Sequence, residues 1–480
     1  MNDEYLIQPD YGGFNSRFLG VQLRFHASHP DVFSELMTLL GATPDQVVAT
    51  GNAALQAGDA RAFHVFALGS VLAHEMRHFH DFLLSPLSQA VFRWRVAGIF
   101  HGIQALPDIA RQGFVPVPLP RWARLPGDEQ QTRLRQWARL LQQALTAFEL
   151  PATAPAMLQL AHQQFSRIQR VLQPRRVAQL QPLHLFEASA LLVQYHCVRR
   201  LFGEPHARRF VATLYALDVP ADYKLVLNML GRLWDKGSAA WDMRAMSAML
   251  LWAIAGATTV ADDDDGPTIR FLRLFQLLEH DGLPTPGLPV LTWFAQWDAA
   301  LGSPPLLTRL RAALAENEKL LQQVSHNQPP GDRLFRVVAN GCLQAMQCLT
   351  ALSRQMLADF QRAPEAYVDP AQYVDQAQFV ACPWRVDFIG GGVEAERFQG
   401  SRFVPWHTVS DATEQTLVTS AYMPARGANQ VVASDAILDA ALTMDFGDLL
   451  FNEFSRDGGD IDAIRRALRM SLEIEPLEVF

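Results

Sequence analysis

From residue 17 to residue 26 apolar and polar positions alternate. Leu19, Val21, Leu23 and Phe25 fall on one side and Phe18, Gln22, Arg24 and His26 on the other, the two-residue period of a strand with one buried face. Beyond it the period lengthens. Residues 31–40, 61–84 and 87–104 carry apolar side chains at intervals of three and four, which predicts helices with one buried face. Pro86 separates the last two, because its ring and missing N–H end a preceding helix. Prolines at 107, 116, 118, 120 and 126 predict an extended surface loop over 106–128. Helical spacing resumes over 130–148, 154–172, 183–202, 205–217 and 221–235, with proline or glycine between the segments, and again over 306–325 and 334–360. Near Ala371 the character changes. Residues 379–389 and 402–409 read as short strands around a turn at Gly390-Gly391-Gly392, and 460–472 as a closing helix. The fold class expected is mainly α with a short N-terminal strand. It divides into a first domain over 1–255, a helical region over 268–365 and a smaller mixed α/β C-terminal region over 371–480.

A chain of 480 residues exceeds what one hydrophobic core usually organises, so two or three packed regions are expected. With 49% hydrophobic and 19% charged residues it has the composition of an ordered globular protein. The formal net charge of -8 supplies no electrostatic reason to expect nucleic acid or an anionic membrane as partner. Residues 245–261 carry no charge but include Ser247, Gly256, Thr258 and Thr259. The run is shorter than the roughly 20 apolar residues of a spanning helix, so a buried helix is expected and no membrane partner. The acidic run Asp262–Asp265, followed by Gly-Pro, reads as a solvated turn, since a calcium loop needs spaced carboxylates. Cys197, Cys342, Cys348 and Cys382 are too irregularly spaced for a disulfide framework, and the first residues, Met-Asn-Asp-Glu-Tyr, resemble no export signal. A reducing cytoplasm is the expected compartment.

Chemistry concentrates in Leu72-Ala73-His74-Glu75-Met76-Arg77-His78-Phe79-His80-Asp81, inside a strongly helical stretch. His74 and His78, four residues apart, project from one face a turn apart and can share one metal ion. Glu75 stands about 100° round the helix, where its carboxylate can reach a water on the open side of that metal without becoming a ligand. The alternative is a helix whose histidines are only hydrogen-bonded. No nucleophile elbow or phosphate-binding loop is present, and Cys382 with His407 makes only a weak thiol–base pair, because Cys382 precedes Pro383 in an apolar run that favours a buried thiol.

On this motif the chain resembles the zincin metallopeptidases, whose signature is His-Glu-x-x-His on a helix. The resemblance implies a zincin-like helical metallopeptidase domain over 1–255, with Zn2+ held by His74 and His78 and a zinc-bound water activated by Glu75 as general base. It also implies a third ligand downstream. The glycine-spaced histidine of the metzincin branch is absent, since no histidine lies between His80 and His101, which leaves a glutamate as in the gluzincin branch. Glu187 is the best candidate: it is the isolated acid of an apolar helix, beside Ala188, Ser189 and Ala190, which would let two helices approach closely. Its alternative is structural pairing with Arg199 or Arg200, and Glu149 is the weaker competitor. A gap this long requires a large insertion between the ligands, which the proline-rich loop and the helices after it can supply. Asp81, seven residues after His74, returns to the same face and can orient a ligand imidazole, while His80 points away and reads as packed or exposed. Tyr195 can steady an oxyanion, or it is simply a core tyrosine.

The function expected is therefore that of a zinc metallopeptidase, a hydrolase acting on a peptide or protein substrate. Two rivals stand beside it. One is a metal-stabilised scaffold or binding protein without turnover; the other is a bacterial effector or toxin protease with a dedicated substrate.

Overall fold

The alternating segment folds as strand β2 (Gly20–His26), preceded by β1 (Gly12–Asn15), which pairs with it antiparallel. Leu19, Val21 and Leu23 are buried and Arg24 is exposed, as the alternation predicts, but Gln22 on the polar side is buried as well. The computed structural model describes residues 12–15, 19–26, 35, 44–111, 160, 163–164, 167–168, 180–216, 221–234, 243–256, 266–282, 284–327, 333–375, 382–389, 402–410 and 415–426. Among them the fold is mainly helical. The helices are α1 (Pro44–Ala57), α2 (Ala60–Leu83), α3 (Pro86–Arg111), α4 (Pro182–Phe202), α5 (Glu204–Ala216), α6 (Ala221–Trp234) and α7 (Met243–Ile254). They continue with α8 (Pro267–Asp281), α9 (Val290–Leu301), α10 (Leu306–His326), α11 (Arg333–Arg362), and the short α12 (Pro364–Val368) and α13 (Pro370–Asp375).

Several of these helices open on proline, as α3, α4 and α8 do, since a first-turn residue has no intrahelical acceptor for its N–H and the ring presets φ. At the far end of α4, Gly203 takes φ 82°, a conformation that favours glycine, and returns its N–H to the Arg199 carbonyl at 2.9 Å. Helix α5 then starts at once.

The described residues depart from the sequence expectation at a few points. Helix α3 runs through Pro107 to Arg111, where an extended loop is expected from 106 onward. A proline removes a single donor, and the turns before it keep their own bonds. Strand β5 (Gln415–Arg426) is an addition to β3 (Cys382–Ile389) and β4 (Arg402–Ser410). The expected helices over 130–148 and 460–472, most of those over 31–40 and 154–172, the loop over 112–128, the acidic turn and the triple glycine lie outside the described residues.

The strands make one five-stranded sheet in the order β1-β2-β3-β5-β4. Its β2–β3 pair is parallel, with Val21 opposite Trp384 and Phe25 opposite Phe388, and the other pairs are antiparallel. Strands from the two ends of the chain thus complete each other.

The chain divides into two compact units, each discontinuous in sequence. The first holds Met1–Ser88, Arg175–Ala313 and Leu352–Val431, and the second Gln89–Pro174, Leu314–Ala351 and Val432–Phe480. In the first unit α4 is the central helix, packed against α1, α2, α5, α6, α7, α8 and α13, while α2 also packs against β1 and β2. Phe14 of β1 meets Phe79 and Phe82 of α2 with ring centroids 6.5 and 5.4 Å apart. Every residue of α7 from Ala245 to Ile254 is buried, which explains why that segment is apolar all round. Among the described residues no helix is long and apolar enough to cross a membrane.

Beside α7 the core contains charge. Asp298 of α9 accepts hydrogen bonds from Trp252 Nε1 at 2.9 Å, the Leu306 N–H at 3.0 Å and Arg309 Nη2 at 3.2 Å. The guanidinium of Arg270 lies 3.7 Å from the centre of the Trp252 ring and donates to that residue's carbonyl. In the second unit Arg93 donates to Asn317 Oδ1 and Asn317 to Gln89 Oε1, both at 2.7 Å. Burial pushes the Arg93 guanidinium down to about 10, against the opposing charge of Glu316.

Asp298→Ala is expected to destabilise the protein by about 3–5 kcal/mol, because Arg309 and Arg270 would stay buried without their anion. Urea unfolding measures this. Asp298→Asn, which keeps the volume and one of the two acceptor oxygens, should cost less.

Candidate metal centre

Helix α2 forms as its spacing predicts, yet its central turns are unusual for a core helix. His74, Glu75, Arg77, His78, His80 and Asp81 are all buried. Charged and polar groups in such a place are costly unless each has a partner, so the partners define what this helix is for.

They fall into two sets. In the first His74 Nε2 and His78 Nε2 stand 3.1 Å apart, and Glu187 reaches in from α4. Its Oε2 lies 3.3 Å from His74 Nε2 and its Oε1 3.5 Å from His78 Nε2. Four-coordinate sites with bonds of about 2.0–2.1 Å place neighbouring ligand atoms about 3.3 Å apart. The two imidazole nitrogens stand near that spacing, and each has a different oxygen of the Glu187 carboxylate near it as well. Among the described residues His74, His78 and Glu187 form the group able to hold a metal ion, and no fourth His, Cys, Asp or Glu joins them.

In the second Arg77 spreads its guanidinium among several elements. Its Nε donates to Ser189 Oγ of α4 at 3.0 Å, its Nη1 to the Tyr367 carbonyl of α12, and its Nη2 stands 3.0 Å from Asp81 Oδ1. The Tyr373 ring of α13 lies 5.3 Å from the guanidinium carbon, and the Tyr373 hydroxyl is hydrogen-bonded to His80 Nδ1 at 2.6 Å.

The electrostatics follow from this arrangement. Burial opposes a charged imidazole at His78, but the charge and hydrogen bond of Glu187, with Glu75 and Asp81 adding, outweigh it and raise His78 to about 9. Burial likewise opposes ionisation of Glu187, yet the charge of His78 and hydrogen bonds from both histidines hold its carboxyl well below the usual carboxylate range. An ionised carboxylate facing two imidazoles is a donor set that could hold a cation, whose binding would compete with protonation of the imidazoles.

Glu75 stands apart from both sets. It is buried, its Oε2 has no hydrogen-bond partner, and it is close enough to His78 to act on it electrostatically. A buried acceptor left open beside a metal-ligating set fits a group whose partner is a bound water.

Helix α4 brings Glu187 to the histidines from a distant part of the chain, and its small neighbours Ala188, Ser189 and Ala190 are fully buried where α4 packs on its surroundings. Arg199, the alternative partner for Glu187, instead donates to His196 Nδ1 at 3.2 Å. Glu149 lies outside the described residues. Asp81 is buried near the ligands, but it pairs with Arg77 rather than with an imidazole. The i to i+4 spacing puts the guanidinium directly within its reach. Tyr195 packs against the Phe66–Leu201–Phe202 core. Burial, with Glu204 adding, raises its pKa and keeps its hydroxyl protonated. His80 is buried against Tyr367 and Tyr373. Cys382 and His407 sit on β3 and β4, which flank β5 without pairing to each other.

The sequence reading overlooks Arg77, Tyr367 and Tyr373. A signal for Arg77 was present, since a guanidinium inside a turn of buried histidines needs an anion. Nothing local marks the tyrosines, which meet α2 only through the tertiary fold.

His78→Ala should lower metal affinity by more than about 100-fold, because changes to residues that merely support metal ligands cost 10–100-fold, and should lower the melting temperature of the metal-loaded protein. Glu187→Ala is expected to reduce metal occupancy strongly while Glu149→Ala leaves it at the parent level. Elemental analysis and calorimetry on the purified variants check both.

The chain matches no family model, no curated protein and no solved structure, so what it does must be read from these side chains.

Proposed function

We propose that the chain is a zinc-dependent metallopeptidase of zincin type, with His74, His78 and Glu187 as the metal ligands and Glu75 as general base. The observation that carries this reading is the convergence of two helical Nε2 atoms and a distant carboxylate, each nitrogen within 3.5 Å of one carboxylate oxygen, beside a buried glutamate whose Oε2 is unpartnered. Imidazole and carboxylate donors at this spacing suit zinc. A site of three protein ligands keeps one position open for water or substrate, whereas a structural zinc site fills all four with protein. That difference favours an enzyme over a metal-stabilised scaffold.

Zinc bound there supplies Lewis acidity, polarising a carbonyl and making water acidic enough to ionise near pH 7. His74 and His78 present neutral Nε2 lone pairs, and Glu187 offsets the charge of the ion. Glu75 takes a proton from the attacking water as oxygen adds to the peptide carbonyl. When the carbon–nitrogen bond breaks, the same carboxyl returns that proton to the departing amine. Buried surroundings strengthen these charge interactions relative to water.

Glu75→Gln should retain the metal and the melting temperature of the parent but lose peptide hydrolysis by about 100-fold or more, because an amide accepts no proton from water. Mass spectrometry of new peptide termini, in a proteome exposed to either protein, provides the readout. Indistinguishable termini from two metal-loaded samples would withdraw the broad peptidase assignment.

A further inference from the structure

We infer that Arg77 is a positioning residue for the metal site: through Ser189 it fixes the axial register of α4 against α2 and so sets how far Glu187 stands from His74 and His78. This rests on the metal-site reading above and adds a determinant of its affinity.

Two cross-links join the same short stretch of two helices. His74 and His78 meet Glu187, and Arg77, one residue before His78, meets Ser189, two residues after Glu187. A helix rises about 1.5 Å per residue, so slipping α4 by one position would displace Glu187 by nearly half the roughly 3.3 Å edge of a tetrahedral site. The Arg77–Ser189 bond opposes that slip.

The guanidinium can act as a fixed strut because it is itself held from several directions. Asp81 clamps Nη2, the Tyr367 carbonyl takes Nη1, and the Tyr373 ring lies against it. Arg77 and Asp81 have side-chain exposures of 2% and 0%. Burying such a pair stabilises little compared with apolar packing, and an Arg77–Asp81 pair needs only one helix. What the planar fork adds is direction toward α4 and α12.

The test measures Zn2+ affinity, with Zn2+ alone and a competing chromophoric chelator, in the parent, Ser189→Ala, Glu187→Ala and the double variant. Ser189→Ala is expected to weaken Zn2+ binding about tenfold in the parent, the low end for residues that orient metal ligands, and to add nothing once Glu187 is gone. Apo melting temperatures of Ser189→Ala and parent should differ far less than their affinities. Arg77→Lys, which keeps charge beside Asp81 but loses the fork, should show the same dependence on Glu187; if it fails to fold, Ser189→Ala decides alone. If Glu187→Ala binds too weakly to measure, the visible bands of Co2+-loaded Ser189→Ala decide: altered bands support the strut and unchanged bands overturn it. No loss in Ser189→Ala, or an equal loss with and without Glu187, overturns the positioning role and leaves the metal site standing. A parent chain that binds no Zn2+ overturns the metal site, and the positioning role with it.

Discussion

The constraint on which the first unit depends is that charge buried in a helix must be met by charge or hydrogen bonds from elsewhere. Helix α2 carries histidine, glutamate, arginine and aspartate into the interior within two turns. Apolar packing alone cannot accommodate them, since an isolated buried ion costs several kcal/mol. The elements that supply partners, α4 with Glu187 and Ser189 and α12 and α13 with Tyr367 and Tyr373, are therefore fixed in position by electrostatics as well as by contact area. Hydrophobic burial brings α4 and α2 together; the polar groups decide at which register they stop.

The buried polar groups of α2 form two sets. Arg77, Asp81, His80 and the tyrosines are linked by hydrogen bonds and an ion pair to one another and to Ser189 of α4. The other set leaves His74, His78 and Glu187 around a common point, with Glu75 beside them and an acceptor unused. Placing both on a single helix lets the first hold the geometry of the second.

The core around Trp252 obeys the same constraint. Asp298 gathers an indole N–H, a backbone N–H and Arg309, while Arg270 stacks on the indole. These contacts join α7, α8, α9 and the start of α10.

The sequence by itself determined the local parts. The bounds of α2, the single-face placement of His74 and His78, and the offset of Glu75 all follow from helical period, because they depend on residues within two turns of one another. The burial of α7 and the phase of β2 follow from hydrophobic pattern for the same reason. Glu187 was legible as an acid in an apolar helix that required a partner, but the identity of that partner was not. Choosing the histidines over Arg199 required α4 to pack on α2 at one register, and that is set by contacts between segments far apart in the chain. The surroundings of Asp81 and Tyr195 were decided at that level: helical phase places Asp81 on the ligand side but cannot show that Arg77 lies 3.0 Å from its carboxylate, nor that Tyr195 packs against the Phe66–Leu201–Phe202 core. The parallel pairing of β2 with β3 was equally out of reach. Local patterns describe which face an element buries; only the tertiary structure decides against what.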